Sequence, residues 1–204
     1  MRLFTVRHGA TEYSRDRRFS GALDVPLSTD GRLQAEAAAQ ALAPSFVAAV
    51  YTSPLERARA TAELIAKPHR LEPQVEPEFR EMAFGAWEGL TREQLSARDA
   101  EAWRLTPHLV APAGGEPLDA VSARVRGALD QLTDVHAGEA VILVSHAIVI
   151  RLIVLAALGL GPDRLWTVDA SPAGITEIEY LNDWATVHRM NTLAHLEGAA
   201  ERAP

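Results

Sequence analysis

The chain has 204 residues, 27 acidic against 20 basic side chains, a formal net charge of −7 and no cysteine. That length suits one domain. The acidic balance argues against bulk nucleic-acid binding, and the absence of thiols excludes disulfides, thiolate metal sites and cysteine nucleophiles.

Leu3 to Val6 is a short apolar run with the length and β-branched content of a buried strand, and it stops abruptly at Arg7-His8-Gly9. No signal-peptide pattern precedes it, and no segment is apolar for long enough to span a bilayer. The expectation is therefore a cytoplasmic protein with no membrane partner. Residues 10 to 27 lack a period and read as a loop. They carry Arg15, Arg17 and Arg18, which with Arg2 and Arg7 make this end basic within an acidic chain. Ser28 or Thr29 caps a helix that runs to about Leu42. Val47 to Tyr51 reads as a second strand. Thr52-Ser53-Pro54 then caps a helix from Leu55 to Ala66, with the proline in its first turn. This alternation predicts a parallel sheet with helices on both faces.

Residues 68 to 77 are proline-rich connecting chain with a short strand at Gln74-Val75. Residues 80 to 89 mix charge, aromatics and glycines without a period, as segments that line a site do. Thr91 begins another helix, with Glu93 and Gln94 near its start. Residues 91 to 115 read as an excursion over the sheet edge, a lid. A longer helix spans about Leu118 to His136, apolar on one face and ended by Gly138. Ala140 to Val144 is the most apolar strand and is expected at the sheet centre. It ends in Ser145-His146 and leads into an apolar helix, Ile148 to Leu158. Two β-like segments follow, Leu165 to Ala170 and Gly174 to Tyr180. Asn182-Asp183 is a turn signal before Ala185 to Met190, and the chain from about Leu196 is expected to fray. The edge implied by residues 174 to 190 is a candidate surface for a homodimer. The fold class is α/β, a three-layer α/β/α sandwich with a mostly parallel central sheet, in one domain over residues 1–204.

Two strands end in histidine, His8 after the first and His146 after the fourth. Ligands of open α/β sheets bind beyond the carboxyl ends of the strands, where residues distant in sequence become neighbours. His69, His108, His136, His188 and His195 lack such a context and read as structural or surface residues.

The string Arg7-His8-Gly9-Ala10-Thr11-Glu12 resembles the RHG signature of the histidine phosphatase superfamily, also called the phosphoglycerate mutase-like family. Further pieces resemble that family in its own order: Arg18-Phe19-Ser20-Gly21, Asp24-Val25-Pro26-Leu27-Ser28 with Gly31, Ser53-Pro54-Leu55-Glu56-Arg57-Ala58 with Thr61-Ala62, Arg80-Glu81 with Phe84-Gly85 and Trp87-Glu88-Gly89, Gly114-Gly115-Glu116, and Val144-Ser145-His146. The resemblance implies a phosphoglycerate mutase-like fold and an enzyme that needs neither cofactor nor metal. It implies that His8 attacks phosphorus and forms a phosphohistidine. A neutral imidazole suits that task because it avoids the repulsion an anionic nucleophile meets at a phosphate dianion. Arg7, Arg57 and His146 would stabilise the charge on the transferring oxygens. Glu81 would protonate the leaving oxygen and then activate water, with Glu88 as the fallback acid. Ser14, Ser20, Gly21 and the amide of Ala147 would contact substrate. Ser14 stands where many relatives carry asparagine and Ala147 where they carry glycine. Arg59 reads as a rim residue, and Trp87 and Trp103 as core or pocket wall. The partner implied is a small phosphorylated metabolite. The short stretch from Glu81 to Gly115 favours the phosphatase branch over the longer mutases, although Arg18-Phe19-Ser20-Gly21 is mutase-like. The alternatives are a cofactor-dependent phosphoglycerate mutase and a non-catalytic phospho-ligand-binding protein.

Overall fold

A computed structural model describes residues 1–182 and 184–197. Asp183 of the expected turn, and the part of the expected frayed end beyond Glu197, lie outside the described residues. Six strands form one sheet: β1 (Arg2–Arg7), β2 (Ala49–Thr52), β3 (Gln74–Val75), β4 (Ala140–Ser145), β5 (Ile175–Leu181) and β6 (Trp184–Thr192). Their spatial order is β3-β2-β4-β1-β5-β6. β1, β2, β3 and β4 run parallel, and β5 runs antiparallel to β1 and to β6. The mostly parallel sheet expected from the alternation is what forms.

Side chains alternate across the sheet with period two and feed a core on each face. Phe4, Val6, Val50, Ile142 and Val144 pack under α2 (Thr29–Leu42) and α3 (Glu56–Ala66). The buried faces of those helices are rich in alanine, including Ala35, Ala38, Ala39, Ala58 and Ala62, so they lie close to the sheet. Leu3, Val141, Leu143 and Ile178 point the other way, into α5 (Leu118–Val135) and α6 (Ala147–Ala157). Val141 to Val144 are wholly buried, as a central strand requires. No helix among the described residues is long and apolar enough to cross a membrane.

The structure departs from the sequence reading in several places. The segment between β1 and α2 contains a short helix, α1 (Glu12–Arg15), held by a capping box between Thr11 and Ser14. Pro54 lies outside α3, whose N-cap is Leu55 with no side-chain cap. The Ser53 hydroxyl accepts the Leu55 amide at 3.2 Å and is otherwise turned toward the site. The helix expected from Thr91 is broken by the extended backbone of Leu95. A 3-10 turn, Arg92–Gln94, precedes α4 (Ala97–Leu105). Leu165 to Ala170 is not a strand. Pro162–Thr167 forms 3-10 turns because Leu165 is drawn into the core and the Trp166 indole N–H donates to the carbonyl of Trp103 at 2.9 Å.

One long loop contact sets the position of the site. Phe19 donates its amide to the carbonyl of Leu90 and accepts the amide of Gly89, stitching residues 18–20 to residues 89–91. Its ring packs on Phe84, Trp87 and Trp103, with centroids 4.9, 5.5 and 6.3 Å away.

Candidate active site

The parallel pairing of β1 with β4 places Arg7 beside Ser145, so the next residues, His8 and His146, emerge side by side. Their ring centroids are 5.1 Å apart. His8 Nδ1 lies 2.7 Å from the carbonyl of Gly9. A carbonyl only accepts, so Nδ1 carries the proton and Nε2 keeps its lone pair. The Arg57 Nε–H donates to that Nε2 at 3.3 Å. Gly9 has no alternative here, since a Cβ would lie 2.1 Å from the carbonyl oxygen of Gly31. The loop after β1 and the start of α2 touch backbone to backbone.

His146 is completely buried. Its Nε2 lies 2.7 Å from the Ser53 hydroxyl. Among the described residues that hydroxyl has no other acceptor for its proton, so its O–H donates to Nε2 and the proton of the neutral ring sits on Nδ1. Nδ1 has no partner among the described residues, so its N–H is available to an acceptor on a ligand or a water. Arg57, in the first turn of α3, donates to the carbonyls of Leu23 at 2.7 Å and Gly21 at 2.8 Å. Half-buried Arg7 donates through Nη1 to the carbonyl of Ala170 at 2.7 Å, while its buried Nε has no partner among the described residues. Glu81 is 8% exposed. It accepts the amides of Met82 at 3.0 Å and, at the N-terminus of α6, of Ile148 at 3.5 Å.

The electrostatics follow from burial and from crowded cations. Desolvation, reinforced by Arg57 and Arg7, holds His8 well below the usual imidazole range. Desolvation followed by Arg57 does the same to His146. Both rings are neutral at neutral pH. Desolvation raises Glu81, against the pull of the Met82 amide and the two arginines. Burial also brings Arg7 down to about 10, which leaves it a cation.

A cavity of about 190 Å³ brings Arg7, His8, Ser14, Ser20, Gly21, Arg57, Glu81 and Ala147 together. His146 stands behind them, against His8. A larger cavity of about 580 Å³ lies between α5, α6 and the β5–β6 hairpin, but its lining holds neither histidine nor the acid. Among the described residues no group of three histidine or carboxylate side chains is placed to hold a metal ion.

The family model for the histidine phosphatase superfamily (branch 1) matches residues 3–193. The chain belongs to that superfamily. It is 38% identical over 192 residues to a bifunctional protein of Mycobacterium tuberculosis, covering 93% of this chain and 53% of that one. The chain thus spans about half the length of that relative. It is 32% identical to phosphoserine phosphatase 1 of Hydrogenobacter thermophilus, over 96% of this chain and 94% of that one. The solved structure of Bacillus stearothermophilus YhfR superposes with a TM-score of 0.90 at 30% identity, covering 96% of this chain and 98% of that one.

In this member of the superfamily some expected residues hold other duties. The Ser14 hydroxyl donates to the carbonyl of Thr11 at 2.9 Å, so it reaches a phosphate as donor only by breaking that bond. Glu88, the fallback acid, is a strut. It accepts the amides of Ala22 and Phe84 at 2.9 and 3.0 Å and does not line the catalytic cavity. Gly21 has φ +48°, and a Cβ there would run into that carboxylate and the amide of Phe84. Arg59 is also absent from the cavity wall.

Other residues were missed. Arg151 lines the cavity from one turn beyond Ala147 on α6, and the i, i+4 spacing could have revealed it. Arg18 and Trp166 line it as well. Arg124 carried no local signal. It reaches from α5 to the carbonyls of Glu78, Arg80 and Glu81 and to both oxygens of Glu116, fixing the loop that bears the acid.

Proposed function

We propose that this chain is a phosphomonoesterase that passes the phosphoryl group of a small phosphorylated metabolite to His8 and then to water. The observation that carries the reading is a neutral imidazole with its Nε2 lone pair directed at a guanidinium-lined cavity. Nε2 attacks phosphorus as the phosphorus–oxygen ester bond breaks. Arg7, Arg57 and the Nδ1–H of His146 take up the charge spread over the equatorial oxygens. Glu81, whose burial favours the protonated form, gives its proton to the departing alkoxide. The resulting carboxylate then takes a proton from water as that water attacks phosphorus and breaks the phosphorus–nitrogen bond. Inorganic phosphate leaves, and His8 and Glu81 return to their starting states. Ser20, Gly21 and the Ala147 amide at the start of α6 form the remaining wall of the anion pocket.

The relatives support hydrolysis of a small substrate, since one of them carries the name phosphoserine phosphatase. The cysteine-free composition supports a cytoplasmic location. The excursion over residues 91–115 serves as a roof, because Trp103 reaches the catalytic cavity from within it.

The test is turnover of p-nitrophenyl phosphate in excess chelator, combined with rapid quenching of labelled enzyme in alkali. Phosphate release with an acid-labile label on His8 is the expected result. No turnover between acid and neutral pH would reject the enzyme reading. Isomerisation of 3-phosphoglycerate faster than phosphate release would reject hydrolysis in favour of mutase chemistry.

A further inference from the structure

The loop between the 3-10 turns Pro162–Thr167 and β5 has no regular structure of its own, yet it holds the end of β1. Arg7 donates its amide to the carbonyl of Gly174 at 3.2 Å, and its own carbonyl accepts the amide of Ala173 at 3.0 Å. The Arg7 side chain makes a single hydrogen bond among the described residues, from Nη1 to the carbonyl of Ala170. One peptide group of the loop therefore sets the direction in which this guanidinium points. Asp169, the residue before it, holds Arg151 through Oδ1 at 3.0 Å. Two cations of the catalytic cavity thus hang from consecutive residues of an irregular stretch.

The support for that stretch comes from the far side of the hairpin. Asn191, on β6, accepts the amide of Ser171 with Oδ1 at 2.8 Å. That bond fixes which side-chain atom is the oxygen, because a peptide N–H only donates. Nδ2 then donates to Asp169 Oδ2 at 3.0 Å and to the Ser171 hydroxyl at 3.2 Å. The Ser171 hydroxyl in turn donates to Asp169 Oδ2 at 2.9 Å. The fit is close, since a Cβ at Gly174 would lie 2.2 Å from Asn191 Oδ1. The Asn191 backbone is left-handed, with φ +48°, a conformation that asparagine tolerates better than branched or bulky residues. Four residues on, His195 Nε2 lies 3.0 Å from the carbonyl of Ala173 and donates to it. Neither Asn191 nor His195 lines the catalytic cavity.

We propose that Asn191 is a positioning residue of the phosphoryl site: it clasps residues 169–171 so that Arg7 and Arg151 are aimed into the cavity, and it touches no substrate. His195 secures the other end of the same loop. The consequence for turnover rests on the phosphomonoesterase reading, whereas the clasp itself is read by the binding of an anion.

The test measures the vanadate dissociation constant through the fluorescence of Trp103 and Trp166 in the cavity wall, together with kcat and KM for p-nitrophenyl phosphate. Asn191→Gly removes the side chain while suiting the left-handed backbone, so strain does not enter. It should weaken vanadate about tenfold and lower kcat/KM by about the same factor, because a misaimed cation loses most in the transition state. Asn191→Asp keeps an oxygen toward Ser171 but sets a second carboxylate against Asp169, and it should weaken vanadate at least as much, which keeps the test valid should the glycine variant misfold. In an Arg7→Met background, Asn191→Gly should cost only about a further threefold or less, since most of what it aims is already gone. A purely structural role would lower the active fraction, and with it kcat, and leave the vanadate dissociation constant of the folded molecules unchanged. Tyr51→Phe breaks the 2.8 Å bond between Tyr51 and His136 outside the cavity wall and should leave vanadate affinity intact. Unchanged vanadate affinity in both Asn191 variants, the full loss with Arg7 already removed, or equal weakening by Tyr51→Phe would each overturn the proposal. A wild type that binds vanadate and hydrolyses no p-nitrophenyl phosphate would refute the phosphatase reading alone, and one that binds no vanadate would refute both.

Discussion

Arg124→Met removes a guanidinium that divides its donors between the acid-bearing loop and Glu116. Its side chain is 9% exposed, against 20% for its partner Glu116. It donates to the carbonyl of Arg80 at 2.9 Å, to that of Glu81 at 3.3 Å, to that of Glu78, and to both Glu116 oxygens at 3.1 Å. Breaking a buried ion pair costs about 3–5 kcal/mol. Glu116 retains Arg80 at 3.1 Å and some water, so the low end applies, about 3 kcal/mol. For a chain of this size that lowers the melting temperature by about 6–12 °C. Catalysis should suffer selectively. Loosening residues 78–81 displaces Glu81, and a misplacement of ~1 Å costs about 100-fold when proton transfer limits the rate. Alkyl phosphates should therefore lose about 10–100-fold in kcat/KM. p-Nitrophenyl phosphate, whose leaving group needs little protonation, should lose less than about fivefold. Urea titration and steady-state assays with both substrates read the two effects. Arg124→Lys keeps the charge without the fork and should fall between. A destabilisation below about 1 kcal/mol, or equal losses on both substrates, would refute the clamp.

Other outcomes follow from the same geometry. His8→Ala deletes the nucleophile and should reduce p-nitrophenyl phosphate turnover by about 10⁴-fold or more, whereas activity near wild type would remove His8 from the chemistry. Glu81→Gln should depress alkyl phosphates far more than p-nitrophenyl phosphate, giving a steeper dependence on leaving-group pKa. It should also raise stability slightly at neutral pH, because a buried carboxyl with a raised pKa opposes folding once it ionises. Ser53→Ala frees His146 to place its proton on Nε2 and should lower kcat about tenfold with little change in KM. Both site histidines are depressed in the fold, so the unfolded chain binds protons first as pH falls below about 6.5. Their contribution is complete above that pH and is lost on acidification, by up to about 1.4 kcal/mol per pH unit for each ring. Glu81 acts in the opposite sense, so the measurement is the difference in slope of unfolding free energy between wild type and His8→Asn from pH 6.5 to 5. An unchanged slope would contradict a neutral, buried His8.

Much of the architecture was legible because each signal was local. Val141 to Val144 announced a central strand by being apolar throughout. The α5 stripe of Val121, Val125 and Leu132 matched a helical face. Arg7-His8 and Ser145-His146 could be paired before any coordinates because parallel strands bring their ends together. What could not be read depends on contacts made at a distance. Leu165 to Ala170 has strand composition, yet Trp166 is recruited by the carbonyl of Trp103 and the backbone coils to reach it. Glu88 carries a catalytic residue type, but two amides from separate loops claim it. The Ser14 hydroxyl was free on paper and is occupied by its own capping box. Arg124 and Ser53 look unremarkable in sequence. Their roles arise only when α5 meets the acid loop and when α3 brings its N-terminus under His146.

The sheet order has a bearing on how this protein is made. The strand that leads to His8 is synthesised before the other five, yet its neighbours are residues 140–145 on one side and 175–179 on the other. At ~5–20 residues per second, a ribosome takes on the order of ten seconds to supply the first of them. During that interval the newborn segment Leu3 to Val6 has no ladder to join, and it presents an apolar edge suited to chaperone capture. The two site histidines come together only once β4 lies between β1 and β2.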